Sequence, residues 1–200
     1  LPGGGWGWCS SVERDPWLTG YALFGLAQAR ALGYTVNSGV LENAANYLAR
    51  QLIVPSPQLT TFEVNRQAFF LYVLSELEVE ILPDLDRLLT ENRALLDPYA
   101  RALIASAYAN LGVTDNRVET LLADLNDRAI VRVTAIVVHL LAELEPENPL
   151  LPGAVRWLMS ARSAQLWSTS HETAWTILAL TEWMAASGEL NANYPYSLEV

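Results

Sequence analysis

Lysine is absent from this 200-residue chain, whose 12 basic residues are all arginine. Schiff-base chemistry and a phosphate-binding P-loop, which both need the amine, are excluded. Cysteine occurs once, at Cys9, so no intrachain disulfide can form and cysteine usage leaves the redox compartment open. Charge is sparse, at 17% of residues, and unbalanced. Acidic side chains number 22, and the formal charge of −10 repels phosphate backbones and anionic lipid head groups. Neither nucleic acid nor a membrane surface is expected as a partner. No apolar run approaches the roughly 18 residues needed to span a bilayer, the densest being QAFFLYVLSEL and AIVVHLLAEL. The chain opens LPGGGWGW, without an initiator Met, a basic n-region or an apolar h-region, so any targeting signal is expected outside it and Leu1 reads as a cut inside a longer product. What is abundant is apolar surface: 52% of the residues are hydrophobic, and a chain of this length buries roughly 70% of the surface it exposes unfolded.

Helical periodicity runs from Asp15 to about Ser187, while strand-like alternation is confined to the last residues, YPYSLEV. An all-α domain over 1–187 is expected, with 188–200 as a tail leading toward a following β domain. Helix starts are well marked. Asp15, Asp97 and Asn148 each precede a Pro at the first helical position. Thr60 with Glu63, and Thr169 with Glu172, have the spacing of a reciprocal cap. Gly33, Gly112 and Gly188 can supply the left-handed residue that ends a helix.

The predicted helices alternate between two kinds. Those over about 15–32, 62–79, 97–111, 131–144 and 170–187 are apolar nearly all round; those over about 38–52, 84–93, 115–127 and 150–162 carry charge on one face. An all-apolar helix must be surrounded by protein, whereas a one-sided helix can cover it from outside, so inner and outer layers follow. Aligned on an early Ala, the inner helices repeat at intervals of 46, 34, 33 and 39 residues. They share a mostly small stripe: Ala22-Gly25-Ala29, Ala68-Leu71-Ser75, Ala102-Ala105-Ala109, Ala135-Val138-Ala142 and Ala174-Ile177-Thr181. Small side chains let helix axes approach closely, as near-parallel helices in a closed or nearly closed ring require.

Chemistry is harder to find. GGGWGWCSS before Trp17 and QLWSTSHETAW late in the chain each place Trp and Ser ahead of an inner helix, so Trp8 and Trp167 either line a pocket at one end of the ring or plug gaps between hairpins. Asp15, Glu63, Asp97 and Glu172 recur at inner-helix starts. Two of them could act as the acid and base of a glycosidase, which needs carboxylates roughly 5 to 9.5 Å apart, although capping explains them more simply. Zinc catalysis needs about three ligands. The chain offers Cys9, His139 and His171, with His139 read as a hydrogen-bonded core residue and His171 as a polar residue of a helix start. Ser10, Ser11 and Cys9 have no neighbouring His and no glycine-flanked elbow, and Cys9 reads as a half-buried structural thiol. No catalytic, cofactor-binding or metal-ligating residue is assigned.

The stretch GGGWGWCSSVERDPWLTGYALFGLAQARALGY, with Trp17, Leu18, Thr19 and Tyr21 leading to Ala27–Arg30, resembles the thioester-containing domain of the alpha-2-macroglobulin and complement superfamily, in particular its bacterial branch. WSTSHETAWTILALTEWMAASGEL is similar to a second stretch of that domain, with His171 where Gln is usual, and PENPLLPGAVRWLMSAR looks like the outer helix before it. The resemblance implies an α/α toroid of inner and outer helices, as in terpenoid cyclases and protein prenyltransferases. It implies an extracellular or cell-envelope proteinase trap whose partners are proteinases and the other domains of the same chain. Three departures stand out: the Cys-Gly-Glu-Gln-type thioester motif is not present, the connection IVPSPQLT lacks the His of the complement branch, and an insertion is missing around Asn126 to Val131. The expectation is a non-catalytic segment without cofactors, its truncated ring prone to self-association. An enzyme on the same toroid, terpenoid cyclase-like or a glycoside hydrolase, and a helical-repeat interaction module are the alternatives.

Overall fold

The computed structural model describes residues 3–8, 13–123, 131–163 and 166–188, and its regular elements are all helical, apart from an isolated bridge between Ser163 and Leu166. The chain divides into two compact units, Leu1–Leu125 and Asn126–Val200. The first holds α1 (Pro16–Ala31), α2 (Ser38–Ala49), α3 (Thr61–Ser75), α4 (Leu82–Asn92), a 3-10 turn over Arg93–Leu95, α5 (Pro98–Asn110) and α6 (Asn116–Ala123). The second holds α7 (Val131–Leu144), α8 (Leu151–Ser160) and α9 (Ser170–Ala186).

In the first unit α3 packs between α1 and α5, while α2 lies against α1 and α3, α4 against α3 and α5, and α6 against α5. The three apolar helices run parallel. At their N-terminal ends the Trp17 ring lies 6.1 Å from that of Phe62, and the Asp97 N–H donates to Asn65 Oδ1 at 3.0 Å. At their C-terminal ends Glu76 joins all three: Gln28 Nε2 donates to its Oε2 at 2.8 Å and Asn110 Nδ2 to its Oε1 at 2.9 Å. The one-sided helices α2, α4 and α6 each pack against one or two of the apolar helices α1, α3 and α5 in this unit. In the second unit α7 packs against both α8 and α9.

The local start signals act as their chemistry dictates. Asp15 accepts from the Trp17 and Leu18 N–H groups, Asp97 accepts from Ala100, and both Thr60–Glu63 and Thr169–Glu172 close reciprocal capping boxes. Gly33, Gly112 and Gly188 take φ of 85°, 73° and 75°. Several boundaries differ from expectation: α2 ends at Ala49 rather than near 52, α4 starts at Leu82 rather than 84, and two further cases have a clear cause. Asn148 is not a helix cap: its Oδ1 accepts from the Leu150 N–H at 3.0 Å in a local turn, and α8 starts at Leu151, with Pro152 in its first turn. α3 stops at Ser75 rather than near Val79, because Glu78 turns left-handed at φ 57° and the Val79 N–H closes back onto Leu74 O at 3.3 Å. A glycine-type ending without glycine leaves no trace in the sequence. The expected helical residues 124–127, all but Val131 of the stretch Asn126 to Val131 where an insertion was expected to be lacking, and residues 189–200 of the tail lie outside the described residues.

The all-apolar helices are not equally covered. α3 is buried from Gln67 to Ser75 and α5 from Ala102 to Tyr108, whereas α1 buries Thr19, Gly20, Leu23 and Ala27, and α9 buries Trp175, Thr176 and Ala179. The small stripe behaves accordingly. Ala68-Leu71-Ser75 and Ala135-Val138-Ala142 are buried, as are Ala102 and Ala105, but Gly25 and Ala174 are exposed and Ile177 is 54% exposed. The close approach in α1 occurs instead at Gly20, where a Cβ would stand 2.9 Å from the Phe69 ring. A hydrophobic pattern records that a face is apolar; neighbours decide whether it is covered.

Candidate functional site

The glycine-tryptophan loop is built onto the starts of α1 and the side of α2. Gly4 adopts φ +84° and lies so close to α2 that a Cβ would meet the Asn43 carbonyl oxygen at 1.8 Å, so only glycine fits. The Trp6 carbonyl then accepts the Asp15 N–H at 2.8 Å, and the Trp6 N–H donates to Thr19 Oγ1 at 2.9 Å. Thr19 is fully buried, and its hydroxyl donates a hydrogen bond to the Asp15 carbonyl at 2.8 Å. Trp8 is not a plug between hairpins. It is 78% exposed, with Nε1 donating to Asp15 Oδ2 at 3.1 Å. The aromatic packing belongs to Trp17, 5.5 Å from Phe69 and 6.0 Å from Tyr21, with Arg66 over the rings of Phe62 and Phe70.

The late tryptophan repeats part of this arrangement. Trp167, 8% exposed, donates from Nε1 to Leu158 O at 2.8 Å, which fixes the loop after α8. Thr173 Oγ1 faces the Trp167 N–H at 3.4 Å and its carbonyl at 3.5 Å. Thr19 and Thr173 each stand four residues after the N-cap of their helix, so the same hydroxyl position brackets a tryptophan backbone at both helix starts. The sequence sets Trp, Thr and Ala together in both segments, but no local signal marks the threonines for this role.

The four helix-start carboxylates are engaged in their own caps. Glu63 Oε2 accepts from the Thr60 N–H at 2.8 Å and the Thr60 hydroxyl at 2.7 Å, and Glu172 Oε2 accepts from the Thr169 N–H at 3.1 Å. Hydrogen bonding from the Thr60 backbone and hydroxyl holds the Glu63 carboxyl below its usual range, and the Leu18 N–H, with Trp8 and Trp17, does the same for Asp15. A glycosidase acid needs the opposite shift, upward, to keep its proton near neutral pH. These two groups are tuned as helix caps.

The remaining candidates do not converge. His139 on α7 is half-buried, and its buried Nδ1 has no hydrogen-bond partner among the described residues, so this nitrogen does not make the hydrogen bond expected of the side chain. His171 is exposed in the first turn of α9. Among the described residues no three His, Cys, Asp or Glu side chains gather as metal ligands, and no helix is long and apolar enough to cross a membrane. Cys9, Ser10 and Ser11 lie outside the described residues. A hollow of about 580 Å³ beside the loop is lined by Glu13, Arg14, Pro16, Tyr47 and Gln51; burial pushes the Tyr47 phenol up, and its hydroxyl donates to Arg14 O at 3.3 Å.

Polar positions that the sequence did not single out hold the connections. Gln67, buried on α3, clamps IVPSPQLT by donating to Ile53 O at 2.7 Å and accepting the Ile53 N–H at 3.0 Å, and Asn92 donates to Ser56 O at 2.9 Å. Arg117 on α6 bonds Asp86 on α4 at 2.7 Å and Asp115 at 2.7 Å while lying 5.0 Å over the Tyr108 ring of α5. The arrangement positions backbone and presents surface.

No protein-family model matches the chain. Its sequence is 25% identical over 182 residues to an alpha-2-macroglobulin of Thermotoga maritima, covering 90% of this chain and 11% of that protein. Its fold is similar to part of a Salmonella alpha-2-macroglobulin reacted with methylamine, with a TM-score of 0.72 and 20% identity over 90% of this chain and 13% of the other. A trypsin-activated alpha-2-macroglobulin from Escherichia coli gives a TM-score of 0.70 and 18% identity over 92% of this chain and 14% of the other. Over nine tenths of its length this chain, whose described regular elements are helical, is similar in sequence and in fold to one segment of bacterial alpha-2-macroglobulin.

Proposed function

We propose that this chain is a scaffold segment, without chemistry of its own, of the thioester-containing domain of a bacterial alpha-2-macroglobulin-like proteinase trap. The observation that carries the proposal is the similarity to the Thermotoga protein across 90% of the chain, joined to the similarity of fold. The chain spans about a tenth of that relative's length, so proteinase capture is a property of the longer protein, to which this segment contributes helices and docking surface. On this reading 1–187 form one helical domain, part of an α/α toroid, with 188–200 leading toward a following β domain. The protein works in the cell envelope or outside the cell, and the segment's partners are other domains of the same chain.

The engagement of Asp15, Glu63, Asp97 and Glu172 in helix caps supports a scaffold role. So does the sequence after Cys9, where Ser10, Ser11 and Val12 offer no Gln to form an acyl bond with the thiol. Exchanging the similar segment of the E. coli protein for this one tests the proposal. Trypsin is expected to activate the chimaera as it does the E. coli protein, read as the same change of native-gel mobility; a folded chimaera that no longer responds overturns it. Methylamine treatment of the chain alone is expected to leave its intact mass unchanged, and a covalent adduct would contradict the non-catalytic assignment.

A further inference from the structure

We draw no further inference here: the strongest candidate, the open flank of α1 where exposed Gly25 stands in line with exposed Leu32 and Tyr34, carries nothing because nothing in the structure shows what covers it.

Discussion

Replacing Thr19 by valine keeps the shape of the side chain and its β-branching while removing the hydroxyl, so helix propensity and packing volume change little. The residue is fully buried, and the substitution leaves the Trp6 N–H without its acceptor at 2.9 Å. Stranding a buried donor costs about 1–3 kcal/mol, and because the Trp6–Thr19 bond is part-buried the loss is expected near the lower end, about 1 kcal/mol. That cost falls on docking of the 3–8 loop, so amide exchange at Trp6 is expected to rise roughly fivefold, at about tenfold per 1.4 kcal/mol. Hydrogen–deuterium exchange read on the peptide covering the loop measures this directly. Two companion variants calibrate it. Thr173→Val removes a weaker bracket, with contacts of 3.4 and 3.5 Å, and should loosen Trp167 less. Thr181→Val removes an exposed hydroxyl that bonds only the Ile177 carbonyl of its own helix, and should change stability by less than about 0.5 kcal/mol. If Thr19→Val leaves exchange at Trp6 within twofold of the parent, the hydroxyl does not hold the loop and the account of the helix start is wrong.

Three further outcomes follow from the geometry. Glu78→Gly relieves a left-handed residue at φ 57° and should stabilise by about 0.5–1 kcal/mol after the added freedom of the unfolded glycine is discounted; a lower urea midpoint would refute the ending proposed for α3. Glu76→Gln turns one of the oxygens facing Gln28 and Asn110 into a donor against a donor, with an expected loss of about 1–3 kcal/mol in chemical denaturation, whereas an unchanged midpoint would show that the three helices do not depend on this link. Asp15 has its carboxyl pKa lowered from an ordinary value of 3.8, so its contribution is complete above that value and is lost as pH falls through the lower folded value. Asp15→Asn should therefore flatten the acid limb of the stability–pH curve below about pH 4, and an equally steep limb would assign the acid sensitivity elsewhere.

Much of the fold was legible because its signals are local. A capping box closes over three residues, a left-handed glycine follows its own helix, and hydrophobic period needs only a few turns, so Thr60–Glu63, Thr169–Glu172, Gly33 and Gly112 could be read before any neighbour was placed. The local signals failed where the chemistry was ambiguous. Asn148 serves a turn as readily as a cap, and Glu78 carries no mark of its left-handed backbone.

What the sequence determined by itself is the run of helices, where the side-chain-capped ones begin, and which are greasy enough to need company. The tertiary structure alone decided who keeps that company. It chose Gly20 rather than Gly25 as the point of close approach in α1, and left Trp8 outside while Trp17 entered the aromatic cluster. It also brought Gln28 and Asn110, 48 and 34 residues from Glu76, onto one carboxylate. The physical reason is range: a helix start is satisfied by hydrogen bonds within four residues, whereas burial and cross-helix pairing depend on side chains that only the packed chain brings near.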